Sequence, residues 1–135
     1  MRLLLILILL VTMASRVMGP GATCMDILVE EPASPYDNLI HAIGMVETRL
    51  DTTAVNLTEE AFGFFQVRPI RLEDYQARTG IRYQVEDMLD FEKAREVFIY
   101  YAELVGPRDM ETIARRWNGS GPKTTEYWQK VKANL

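Results

Sequence analysis

The sequence predicts one mainly α-helical domain of about five to six helices, with long loops between the first of them. Three observations carry this expectation. Apolar residues recur at helical spacing in one segment after another, and each segment is bounded by a capping residue or a Gly/Pro break. The chain has 135 residues, room for one small domain. It holds a single cysteine, Cys24, so no internal disulfide can brace the fold and packing must do so alone. Apolar content of 48% and charged content of 25% are ordinary for a globular chain. The net charge of −4 comes without any cluster of Lys and Arg, which argues against nucleic acid as a partner.

The start, "MRLLLILILLVTMASRVMGPGATC", reads as an export signal. Arg2 is followed by an apolar run from Leu3 to Val11, too short to span a bilayer and right for a signal core. Thr12-Met13-Ala14 and Val17-Met18-Gly19 are both candidate cleavage sites, and an uncleaved membrane anchor is the alternative. Gly-Ala-Thr before Cys24 matches a lipidation signal poorly; once the signal is cleaved, modification of Cys24 is the one route to membrane association. The expected division is a signal over residues 1–23, a linker over 24–33 and the domain over 34–135. The domain is then exported, to a periplasm or the cell exterior.

Ser34 is expected to cap the first helix, with Pro35 at its first position and Asp37 in its first turn. That helix runs to about Thr48, with Leu39, Ile43, Val46 and Leu50 along one face. "DTTAVNLTEEAFG" is polar and irregular and reads as a loop. "FGFFQV" reads as a short strand or a turn into the next helix. Pro69 starts a helix carrying Ile70, Leu72 and Tyr75 and ending at Gly80. Asp90 caps another, with Phe91, Ala94, Val97, Phe98, Tyr101 and Leu104 on its face, ended by Gly106 and Pro107. Asp109 caps a helix with Met110, Ile113, Ala114 and Trp117, which "NGSGP" breaks. Thr124 or Thr125 opens the last helix, with Tyr127, Trp128 and Val131 apolar. The helices from Ser34 to Thr48 and from Phe91 to Val105 are expected to pack together and wall the site.

Elimination narrows the chemistry. There is one histidine, His41, in mid-helix, so neither a Cys–His metal cluster nor a second candidate for a Ser–His–Asp triad exists. No G-x-S-x-G turn, P-loop or G-x-G-x-x-G occurs. No metal or cofactor is called for. Carboxylates remain, and Glu47 differs from the rest by sitting beside an apolar stripe with no base at helical pairing distance. Two readings stand. It is an exposed helix-end Glu, or its apolar surroundings disfavour the charged form and keep a proton for general-acid catalysis. Asp51 is a conceivable partner carboxylate, but it and Glu59 fall in the polar loop, with no apolar seat to hold them. Gly63 permits a tight turn. Gln66 is a neutral amide among apolar residues, costly to bury unpaired. Tyr101 and Trp117 are each either core or binding aromatics. Asn56-Leu-Thr and Asn118-Gly-Ser fit glycosylation sequons by pattern.

"GMVETRLDTTAVN", "AFGFFQVRP", "DFEKAREVFIYYAEL", "ARRWNGSGP" and "YWQKVKANL" resemble, in order and spacing, the motifs of the lysozyme-like lytic transglycosylases of the soluble (SLT) type. The resemblance spans residues 34–135. It implies a lysozyme-like fold with loops around a substrate cleft, and peptidoglycan glycan strands as the partner. By position Glu47 matches the catalytic acid, and Thr48 stands where the family has Ser. Gly63 and Gln66 match Gly-x-x-Gln, and Tyr101 the late helix Tyr. Asn118 matches the Asn-x-Gly turn, with Trp117 replacing Tyr, and Tyr127 matches the closing motif. The implied substrate-binding set is Thr48, Gln66, Tyr101, Trp117, Asn118 and Tyr127. The implied reaction uses one carboxyl as acid and then base, and the C6 hydroxyl of the sugar as nucleophile. A muramidase that adds water on the same fold, and a non-catalytic glycan-binding module, are the alternatives. An anionic polymer suits a basic cleft, which "ARR" at 114–116 and "KVK" at 130–132 are expected to supply.

Overall fold

The computed structural model describes residues 34–135. The expected signal (1–23), the linker (24–33) and Cys24 lie outside the described residues. Within them are α1 (Asp37–Glu47), β1 (Val55–Asn56), β2 (Ala61–Phe62), α2 (Pro69–Thr79), a 3-10 helix (Val85–Leu89), α3 (Phe91–Glu103), α4 (Met110–Asn118) and α5 (Lys123–Lys132). The described residues are mainly helical, as their periodicity predicts.

The start of α1 departs from expectation. Ser34 does not cap the helix; its backbone N–H donates to the Asp37 carboxylate (2.9 Å) and its hydroxyl accepts from Tyr36 N–H (3.3 Å). These bonds hold Pro35 and Tyr36 in a turn, and the helix begins at Asp37. It buries Leu39, Ile40, Ala42, Ile43 and Gly44. Leu50, expected on that face, lies past the end and is exposed. Arg49 and Leu50 both take left-handed backbone (φ 55° and 69°), and the N–H groups of Thr48 and Leu50 both bond the Gly44 carbonyl. The chain therefore reverses immediately after Glu47.

The polar segment that follows is not an open loop. It forms an antiparallel hairpin pairing Val55 with Phe62 and Asn56 with Ala61. Asn56 Oδ1 accepts Glu59 N–H (3.2 Å) inside its turn. Strands of two residues are too short to show alternation, which is why the pattern reads as loop. "FGFFQV" is a strand end and then a tight turn, closed by a bridge between Phe62 and Val67. Gly63 is required there: its φ is 72°, and a Cβ would come within 1.8 Å of the Met88 carbonyl oxygen.

That turn drives Phe64 and Phe65 into the core. Phe65 stacks on Phe98 of α3 (4.7 Å between centroids) and meets the edge of Trp117 (5.9 Å). Phe64 meets Phe91 of α3 at 4.9 Å and lies so close to Gly44 of α1 that a Cβ there would fall 2.0 Å from its ring. The phenylalanines thus stand between α1 and α3. The expected direct packing of these helices is not a main contact; α1 packs chiefly on α5, and α5 on α4. Asp37 and Arg95 link α1 and α3 at 3.6 Å.

The other boundaries follow the sequence closely. Pro69 opens α2 and Gly80 ends it at φ 77°. Ile70, expected among its apolar contacts, is exposed. Asp90 caps α3, accepting from the N–H groups of Glu92 and Lys93, while Leu104 at its end is exposed. Asp109 caps α4. The 3-10 helix, capped reciprocally by Gln84 and Asp87, has no apolar period to betray it. Thr124, expected at the start of α5, is buried inside its first turn and donates to the Gly121 carbonyl (2.8 Å).

Candidate active site

Glu47 is the last residue of α1, set there by the reversal at Arg49 and Leu50. The side chain is half-buried. Tyr127, buried on α5, donates its hydroxyl to Glu47 Oε1 at 2.7 Å. No described cation forms an ion pair with Glu47. Burial pushes its pKa above the ordinary carboxyl value, and the nearby charge of Glu59 adds to the rise. The Tyr127 hydrogen bond and the charge of Arg68 oppose it without reversing it. Burial, and then Glu47 itself, push the Tyr127 hydroxyl far above its usual value, so the phenol stays a donor.

Glu47 opens into a cleft of about 330 Å³ walled by the hairpin, the Phe62–Val67 turn, the start of α2 and the end of α4. Of the sequence-predicted residues, Gln66, Trp117 and Asn118 line the same cleft. Gln66 has left-handed backbone (φ 51°), and its Nε2 donates to the carbonyls of Gly63 (3.0 Å) and Ala54 (3.4 Å). Its amide is thereby fixed, and no described residue donates to its Oε1. Trp117 is buried, with Nε1 donating to the Phe65 carbonyl (3.1 Å). Asn118 is exposed at the C-terminal end of α4.

The remaining predicted residues do not line this cleft. Thr48 Oγ1 lies 3.3 Å from the carbonyl oxygens of both Gly44 and Phe64, so its hydroxyl ties the end of α1 to the phenylalanine turn. Tyr127 acts on the cleft only through Glu47. Tyr101 stands apart: its hydroxyl donates to Asp74 at 2.7 Å, and it lines a neighbouring depression with Arg71 and Trp117. No residue of α3 lines the cleft, so α1 and α3 do not wall it together. Asp51 is exposed and bonds the backbone and hydroxyl of Thr53, contacts that lower its pKa.

Sequence reasoning missed Asn56, Arg68, Ile70 and Arg71, all on the cleft wall, and set aside Glu59 as a loop residue although it lies there too. Glu59, in the turn of the hairpin, forms an exposed ion pair with Arg68. Arg71 Nη2 donates to the Trp117 carbonyl (2.8 Å), and its guanidinium lies over the rings of Trp117 (4.6 Å) and Tyr101 (4.8 Å). The cations on the wall are therefore Arg68 and Arg71, not those of "ARR" or "KVK": Arg115 pairs with Glu111, and Lys130 and Lys132 are exposed away from the cleft. A signal was present. "RPIR" puts two positive charges at a helix start, where the macrodipole favours negative ones.

The arrangement offers a carboxyl biased towards its protonated form, a fixed amide acceptor, an aromatic wall and two cations. Among the described residues no group of three or more His, Cys, Asp or Glu is placed to hold a metal ion, and no helix is long and apolar enough to cross a membrane. No known family, curated protein or solved structure matches the chain.

Proposed function

We propose that this protein is a peptidoglycan lytic transglycosylase of lysozyme-like fold, exported to the cell envelope, in which Glu47 serves as both acid and base. The observation that carries this reading is the Glu47 carboxyl. It is half-buried at the head of a cleft, unpaired by any described cation, hydrogen-bonded to a neutral phenol and raised in pKa. The resemblance of five ordered sequence segments to the lytic transglycosylases supports it.

The steps balance on one residue. Protonated Glu47 gives its proton to the glycosidic oxygen between N-acetylmuramic acid and N-acetylglucosamine as the bond from C1 breaks. The acetamido oxygen of the muramic sugar stabilises the cation at C1. The Glu47 carboxylate then takes the proton of the C6 hydroxyl while O6 bonds C1, giving a 1,6-anhydro end and a reprotonated Glu47. The tethered C6 hydroxyl has an effective concentration no diffusing alcohol reaches. Gln66 Oε1 is an acceptor for an acetamido N–H, and Trp117 and Asn118 bound the sugar.

One observation favours a second reading. Glu59 lies on the cleft wall, near enough for its charge to act on Glu47. An ionised second carboxylate is what a water-adding muramidase requires. Its exposure and its pairing with Arg68 leave it less suited to that role.

Digestion of purified peptidoglycan decides among the readings. The transglycosylase gives muropeptides lighter by one water, whose anhydro ends resist borohydride. Fragments reduced in full make the protein a hydrolase. Binding without cleavage by folded protein makes it a glycan-binding module.

A further inference from the structure

Arg71 is the cation on the cleft wall that has no acidic partner. Arg68, its neighbour there, is committed to Glu59. Arg71 forms no ion pair with any described carboxylate, although Asp74 lies on the next turn of α2. Asp74 is occupied by Arg78 (2.8 Å) and by the Tyr101 hydroxyl (2.7 Å). Arg71 is held through one terminal nitrogen and two aromatic rings. One terminal nitrogen, Nη2, bonds the Trp117 carbonyl and reaches the Arg116 carbonyl at 3.4 Å. The guanidinium plane rests against two aromatic rings. Nε and Nη1 have no hydrogen-bond partner among the described residues. They are not sealed from solvent either, because no buried side-chain nitrogen or oxygen lacks a partner. An arginine held through Nη2 keeps its Nε–H and Nη1–H groups, which point to different edges, as separate charged donors for a carboxylate.

We propose that Arg71 is a substrate-recognition residue that binds a carboxylate of the glycan strand in the cleft headed by Glu47. This inference rests on the peptidoglycan reading above and adds the group that is read. Two sources carry the chemistry: the lactyl carboxylate of a muramic sugar without its peptide, and a carboxylate of the attached peptide. A lysine would not substitute fully, because it lacks the planar guanidinium that stacks on the rings while it donates. Partial exclusion of water strengthens such a contact over one at an open surface.

The test compares four substrates: glycan strands with peptides, strands stripped to the lactyl carboxylate, and each of these with its carboxyl groups amidated. Wild-type protein should show a KM raised about tenfold by amidation of the strand whose carboxylate Arg71 reads, the equivalent of about 1.4 kcal/mol. The pair that shows the effect identifies the source. Arg71→Gln should have the same KM for charged and amidated strands, and Arg71→Lys should recover part of the difference. A discrimination that survives in Arg71→Gln overturns the proposal, as does its absence in the wild type. Binding is read separately, by the Nε–Hε NMR signal of Arg71 in wild-type protein, assigned by its loss in Arg71→Lys. N-acetylmuramic acid, or the same sugar carrying its peptide, should shift that signal and N-acetylglucosamine should not; which of the two does so identifies the source. Equal responses, or none, overturn the proposal even if Arg71→Gln fails to fold. A selective shift without strand cleavage leaves this site standing and removes the catalytic reading instead.

Discussion

Two tyrosine–carboxylate pairs in this molecule share a geometry and differ in what they do. Tyr127 donates to Glu47 and Tyr101 donates to Asp74, each at 2.7 Å. Yet the Glu47 pKa is raised and the Asp74 pKa is lowered. For Glu47 burial is the largest influence and outweighs the hydrogen bond. For Asp74 the hydrogen bonds from Tyr101 and Arg78 come first, in a half-exposed setting where desolvation is minor. A phenol alone does not set the protonation state of its partner. The phenol bond lowers the pKa of both carboxyls; burial outweighs it at Glu47, while at half-exposed Asp74 it stands and the Arg78 guanidinium adds to it. The Asp74 pair ties α2 to α3, and the Glu47 pair sets a carboxyl of raised pKa at a cleft.

The largest effect that separates the pairs is on catalysis. Glu47→Gln keeps the shape and the Tyr127 contact but removes the titratable proton. It should lower peptidoglycan cleavage by about 10²–10⁴-fold, the usual contribution of a general acid–base group. Asp74→Asn should leave cleavage within severalfold of wild type. Turbidity clearance and thermal melting on the same preparations check both. Substantial lysis by folded Glu47→Gln would remove the catalytic role of this residue.

The seat of Glu47 is the next point of attack. Gly44 gives the Phe64 ring its place, and a methyl group there would fall 2.0 Å from that ring. The ring is hemmed in by Phe65 (4.8 Å) and Phe91 (4.9 Å), so it cannot yield cheaply. Gly44→Ala gains helix propensity of about 1 kcal/mol but overpacks the core at a typical cost of about 1–3 kcal/mol. A net loss of stability in urea titrations is expected, together with reduced cleavage. A variant more stable than wild type would mean that the ring moves freely.

The helices were legible because capping and periodicity are local. Asp90, Asp109, Pro69 and Gly80 mark their ends in the sequence, and the chain uses them. Glu47, Gln66, Trp117 and Asn118 were legible too, and they meet at one cleft. What was not legible depended on tertiary contacts. Phe64 and Phe65 separate α1 from α3 only because Gly63 turns the chain against Met88. The hairpin that carries Glu59 to the cleft has strands too short for any period. Tyr101 went to a structural pair because α2 brings Asp74 to it, a juxtaposition that no spacing along the chain encodes.

A smaller effect lies in the pH profile. The Tyr127 hydrogen bond lowers the Glu47 pKa against the influence of burial. Removing that hydroxyl in Tyr127→Phe should raise the Glu47 pKa further, and the alkaline limb of the cleavage profile should move to higher pH. Tyr101→Phe should not move that limb. It should cost about 0.5–1.5 kcal/mol of stability, the usual worth of one hydrogen bond. Cleavage rates across a pH series for the two variants provide the check, and an unmoved limb in Tyr127→Phe would show that the phenol does not govern Glu47.

The smallest effect expected is on stability, and it has opposite signs in the two pairs. Glu47 in the folded state holds its proton above the ordinary value of 4.5. Between that value and the raised folded one, the folded state binds more protons than the unfolded state. Stability therefore falls as pH rises through this window, and the loss persists at neutral pH. Glu47→Gln removes the loss. It should be more stable than wild type at neutral pH by about 1 kcal/mol, the usual size of a single stabilising change at a functional site. The gain should shrink as pH falls towards 4.5 and below, where wild-type Glu47 is protonated in both states. Asp74 behaves in the opposite way. Its folded pKa lies below the ordinary value of 3.8, so its ionised form stabilises the fold above that value, and the contribution fades as pH falls through the folded pKa. Asp74→Asn should accordingly be less stable than wild type at neutral pH and approach it in acid. Melting curves of the three proteins from neutral pH down to the acid range measure both slopes. If Glu47→Gln and Asp74→Asn shift stability in the same direction at neutral pH, the two pairs do not differ as their surroundings imply, and Glu47 is no more strained than an ordinary surface carboxylate.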